Sequence, residues 1–115
     1  MDVNRMKPAL PELLRPADLA EAAARAAAEG EEAEGLAFEG VALSDFQARR
    51  LEFSGCTFVR CRFEEISVRW LSFSDCLFTG CDFSNAALKG AAFRRVEMRG
   101  CRAVGSEMAD AWIAH

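Results

Sequence analysis

Tyrosine is absent from this 115-residue chain, and the only histidine is its last residue, His115. Those absences remove two of the commonest general acid–base groups. No Ser-centred elbow, phosphate loop or pair of metal-binding histidines is present, so catalysis is not expected. The three prolines, Pro8, Pro11 and Pro16, are confined to residues 7–16, and they break any long helix there. No stretch approaches about 18 consecutive apolar residues, so no segment is expected to span a membrane. The N-terminal MDVNRMKPALPELL lacks the long apolar stretch and cleavage site of a signal peptide, and the cytoplasm is the expected compartment. Five cysteines make an odd number, which suits a reducing compartment better than a disulfide framework.

The net charge is −4, and it is unevenly placed. Residues 1–35 carry eight acids and four bases, whereas residues 36–115 carry ten of each. The whole excess therefore sits in the N-terminal third, and the remainder is neutral.

From Leu36 the chain divides into sixteen five-residue units with no insertion, among them LAFEG, LEFSG, CTFVR, CRFEE, LSFSD, CLFTG and CDFSN. Eight of the nine phenylalanines occupy the third place of a unit, and all five cysteines occupy the first. No charged residue of this region stands at either place. A helix requires apolar spacing near 3.6 and a simple strand requires alternation, so a period of five fits neither. Places one and three, two residues apart, point to one side of an extended backbone. Places four and five are rich in Gly, Ser, Asp, Asn and Arg, which suit corners. Each unit reads as a short strand followed by a corner.

Inward residues twenty apart are identical in ten of twenty-four pairs, against six of twenty-six at fifteen apart. Four units therefore make one coil. Cys61, Cys81 and Cys101 stack, as do Phe53, Phe73 and Phe93, and four coils result.

These units resemble the pentapeptide-repeat family, whose pattern is a small residue, a polar residue, Leu or Phe, then two polar residues. The resemblance covers 80 of the 115 residues and implies an all-β solenoid, a right-handed quadrilateral β-helix. Phe46 and Ile66 are large for the first place, and Ala48 and Ala103 are small for the third. Phe46 and Ala48 share one unit, so volume is shifted within it.

Residues 1–35 read as an N-terminal arm and capping helix preceding the repeat of residues 36–115. Asp18 with Glu21 makes a capping-box-like start, and LAEAAARAAAEG reads as a helix ending near Gly30. Its thin apolar stripe, Leu19, Ala22, Ala23 and Ala26, is expected to lie against the first coil, as terminal repeats of solenoids require. A partly disordered arm is the other reading of this composition.

Every interval between cysteines is a multiple of five, which the repeat explains without a metal: Cys packs as a small hydrophobe. No metal or other cofactor is expected. On the outside, Arg49, Arg69 and Lys89 share one stacked column, with Arg50 and Trp70 in the next and Arg94 and Arg95 near the following corner. Arg and Trp are favoured at contact hot spots, which makes this a candidate partner patch; a solvated basic ladder with Trp70 lying on arginine stems is the alternative. Asp45, Glu64, Glu65 and Asp82 gather on another face. At the C-terminal end, Met98, Met108, Trp112 and Ile113 form a candidate dimer surface, because an unpaired strand edge is usually covered; a longer natural solenoid is the other reading.

The function expected from these residues is a non-enzymatic binding or scaffold solenoid with an unidentified protein partner. The resemblance also brings in family members that protect DNA gyrase from quinolones by resembling duplex DNA. A phosphate mimic needs dense negative charge along its length, and a neutral rod lacks it. The negative total charge likewise argues against nucleic-acid binding.

Overall fold

The computed structural model describes residues 8–83, 91–102 and 112–114, the last three through their backbone pairing alone. Lys89, Met108 and the side chains of Trp112 and Ile113 lie outside the described residues. In chain order the elements are β1 (Arg15–Pro16), α1 (Leu19–Glu29), β2 (Ala33–Glu34), β3 (Leu36–Glu39), β4 (Ala42–Ser44), β5 (Gln47–Ser54) and β6 (Thr57–Val59). They continue with β7 (Arg62–Glu64), β8 (Ser67–Ser74), β9 (Leu77–Thr79), β10 (Ala92–Arg94), β11 (Glu97–Arg99) and β12 (Trp112–Ala114).

All pairing between these strands is parallel, and within the repeat every partner is twenty residues away. Phe38 stands beside Phe58 and Phe58 beside Phe78, then Met98. Leu51 stands beside Leu71, and Phe53, Phe73, Phe93 and Ile113 continue one another. One sheet runs β1-β3-β6-β9-β11, a second β12-β10-β8-β5-β2, and a third pairs β4 with β7. Isolated bridges from Arg62 to Asp82 and from Asp82 to Arg102 carry the third sheet onward. The chain is thus a β-helix with four units per coil.

The third-place phenylalanines fill its axis. Phe58 stacks on Phe78 with centroids 4.5 Å apart and planes 8° apart, and Phe63 stacks on Phe83 at 4.9 Å. Across the axis, Phe53 meets Phe58 edge to face at 5.2 Å and 82°. Each pair adds about 0.5–1.5 kcal/mol beyond the area it buries. The first-place residues Cys56, Cys61, Ile66, Cys76, Cys81 and Val96 complete a core in which no buried residue is polar or charged among those described. Phe46, the misplaced ring, is only half-buried, as is Ala48 in the same unit.

The corners depart from the simple picture in two ways. Fifth-place residues turn the chain with positive φ, and this includes Asp45, Arg60, Glu65, Asp75 and Arg95 as well as glycines such as Gly40 and Gly80. Side-chain-bearing residues pay for that conformation. At Arg50 and Trp70, by contrast, the corner has no positive φ and the strands do not stop: β5 and β8 each run eight residues through it. The ladder pairs Ala48 with Val68 and Arg50 with Trp70 but skips Arg49 and Arg69.

The N-terminal segment adds a partial coil. Arg15 pairs with Leu36 and Ala33 with Phe53, so β1 and β2 extend two sheets by one strand each. Helix α1 joins them across the end. Asp18 caps it, accepting from the Ala20 and Glu21 amides at 2.9 and 3.3 Å, and Gly30 ends it in the left-handed conformation. Leu19, Ala23 and Ala26 are buried in the shared core. Upstream, the chain lies along a corner of the rod. The Ala9 amide donates to Asp75 Oδ1 at 3.0 Å, and Pro11 packs on Gly55, where an added Cβ would stand 3.2 Å from its Cδ.

Candidate interaction surface

Three groupings of reactive or charged side chains emerge from this frame. The first is internal. Cys56 stands over Cys76, and Cys61, Cys81 and Cys101 form a second column; all five are free thiols. They donate to main-chain carbonyls, Cys81 to Phe58 O at 3.2 Å and Cys76 to Ser74 O at 3.3 Å. The neighbouring Cys101 thiol lowers the pKa of Cys81, but its contact with Cys61 and its burial outweigh this and push it up to about 11. The contact with Cys56 and burial likewise push Cys76 up. Four thiols are buried and Cys101 is only half so, a difference that the uniform register did not suggest. Among the described residues no cluster of three or more His, Cys, Asp or Glu side chains is placed to hold a metal ion.

The second grouping is acidic. Asp45 and Glu65 stand together on one corner, and their hydrogen bond and mutual repulsion raise the pKa of Glu65. At the N-terminal end a cleft of about 530 Å³ lies between α1, β1 and β2, edged by Glu21, Glu29, Glu31, Glu32 and Glu34 together with Arg15 and Arg25. Burial, then the charges of Glu34 and Glu52, hold the Glu32 carboxyl above its ordinary range.

The third is the corner where β5 and β8 run through. Arg49, Arg50, Arg69 and Trp70 are all exposed there. Trp70 is 65% exposed, and Leu13 is the other large apolar residue so placed among those described. Arg50 stands beside Trp70 in the ladder and forms an ion pair with Glu52. Arg49 and Arg69 have no acidic partner among the described residues. The structure therefore brings four of the five patch residues to one stiff, hydrogen-bonded corner. Arg94 is exposed nearby in the chain, whereas Arg95 is engaged: its Nε and Nη2 bind Asp75 at 2.6 and 2.7 Å. Of the proposed C-terminal surface, Met98 is half-buried against the core.

A family model described as pentapeptide repeat region matches residues 33–102, more than half of the chain. The chain belongs to the pentapeptide-repeat family. A comparison with curated proteins finds no match. The Arg49–Trp70 corner of this pentapeptide-repeat protein falls inside the matched span, and α1 and most of the acidic turn that follows it fall before it. Sequence reasoning missed that this turn abuts the corner. Gly30 stands twenty residues before Arg50, which was a usable signal, but it closes a helix that does not follow the five-residue period.

Proposed function

We propose that this pentapeptide-repeat protein is a non-enzymatic binding solenoid that works in the cytoplasm and uses the Arg49–Arg50–Arg69–Trp70 corner as its contact surface for a protein partner. The observation that carries this is Trp70, an indole 65% exposed beside Arg50 in the β5–β8 ladder. A rigid aromatic anchor flanked by arginines loses little conformational freedom on binding. The scarcity of ionisable groups in the core leaves no buried acid or base to tune for catalysis. Five ion pairs along the rod, Glu39–Arg60, Glu52–Arg50, Glu64–Arg62, Asp75–Arg95 and Glu97–Arg99, quench five of its acids, which speaks against mimicry of DNA toward gyrase. The test is capture of a partner from lysate of the source cells by the immobilised protein. Loss of that partner with Trp70→Ala, at unchanged circular dichroism, is the expected result; equal capture by both proteins would overturn the reading.

A further inference from the structure

Resting on that reading of the corner, we propose that its partner is a second copy of this chain, docked antiparallel so that the acidic turn at residues 29–34 of each copy faces Arg69 and Trp70 of the other.

Along this corner, unpaired acids and unpaired bases lie on successive coils. Glu29, Glu31 and Glu34 have no cationic partner among the described residues, and Arg49 and Arg69 have no acidic one. Ala33 and Glu34 pair with Phe53 and Ser54, so Glu31 and Glu32 enter the corner one coil before Leu51 and Glu52. Trp70 follows one coil after Arg50. From the N-terminal end the corner thus reads acid, then unpaired Arg49 beside the Arg50–Glu52 pair, then base, over roughly 10 Å or two strand spacings. An antiparallel copy reverses that order. Acid meets base at both ends, and the middle coils, each with its Arg50–Glu52 pair and Arg49, meet where the two-fold axis passes.

Two further observations favour this occupant. The last turn of α1 carries no basic residue, so the negative end of its dipole has no side-chain cation of its own, and Arg69 of a second copy supplies one. Glu32 is crowded by Glu34 and Glu52, and a cation brought from outside relieves that crowding. Such an interface closes with two copies and leaves no free half.

Sedimentation velocity over a concentration series tests this, at low ionic strength and in about 0.5 M salt, where exposed charges are screened. The wild-type chain should dimerise, and the salt should weaken the dimer about tenfold or more. Arg69→Glu should be monomeric, as should the double variant Glu31→Lys with Glu32→Lys, both with wild-type circular dichroism. An equimolar mixture of the two should dimerise again, because each contact then joins opposite charges. The inference falls if the wild-type chain stays monomeric at high micromolar concentration, or if the mixture fails to reassociate. It also falls if Trp112→Lys dissolves the dimer while Arg69→Glu does not. A monomeric wild type that still captures a different partner through Trp70 would sink this inference and leave the corner reading standing. Loss of nothing on Trp70→Ala would sink the corner reading itself.

Discussion

Shortening Phe58 to alanine probes the core where its rings converge. Phe58 touches Phe38, Phe53, Phe63, Phe73 and Phe78, with centroids between 4.5 and 5.8 Å, and it is wholly buried. Its neighbours are held by ladders above and below, so the coil cannot close over the void. A Phe→Ala change in such a site costs about 3–5 kcal/mol, against a total stability of about 5–15 kcal/mol for a domain. Each kcal/mol is worth about 4–8 °C near this size, so the melting midpoint should fall by roughly 12 °C or more. Urea unfolding followed by circular dichroism gives the free energy, with Gln47→Ala, exposed on β5, as the control at within about 0.5 kcal/mol. A loss at Phe58 below about 1 kcal/mol, or equal losses at the two sites, would refute an axis packed in this way.

Glu65→Gly should raise the melting midpoint. It relieves a side chain held at φ 51° and removes the repulsion from Asp45, whose cost appears as pH rises through the raised Glu65 pKa; an unchanged or lower midpoint at pH 7 would contradict this. Asp75 has a depressed pKa, first because Arg95 binds it and then because the Ala9 amide does. Its stabilisation is complete above the ordinary aspartate range and is lost as pH falls through the depressed value. Asp75→Asn should therefore lower stability at pH 7 and flatten the acid limb of the pH–stability curve; an identical acid limb would refute the linkage. A thiol reagent should label the half-buried Cys101 first and reach Cys56, Cys61, Cys76 and Cys81 only on unfolding, and uniform labelling of the native protein would contradict their burial.

The β-helix was legible because places one and three carry the whole packing problem. Phe53, Phe73 and Phe93 stack where the register puts them, and Asp18 and Gly30 end the helix as cap chemistry dictates. The corners were less legible. Whether a fifth-place residue enters the left-handed region depends on the ladder around it: Arg60 and Arg95 do, and Arg50 does not. Contacts outside the period could not be read at all. The Ala9–Asp75 bond spans 66 residues, and no spacing rule joins a proline-rich arm to a particular corner. The column predicted that Arg49, Arg50, Arg69 and Trp70 lie together, but the fusion of two units into the eight-residue strands β5 and β8 is something residue types alone do not announce.

The twenty-residue coil underlies every claim about the corner, and pyrene excimer emission tests it directly. Gln47 and Ser67 are exposed and stand beside each other in the β5–β8 ladder, whereas Arg62, fifteen residues from Gln47, is exposed on a different sheet. Pyrene on Gln47→Cys and Ser67→Cys together should give strong excimer emission that disappears in denaturant. Pyrene on Gln47→Cys with Arg62→Cys should give monomer emission alone, both pairs being placed in a Cys101→Ser background so that the native half-buried thiol takes no label. Excimer from the second pair and none from the first would contradict the four-unit coil.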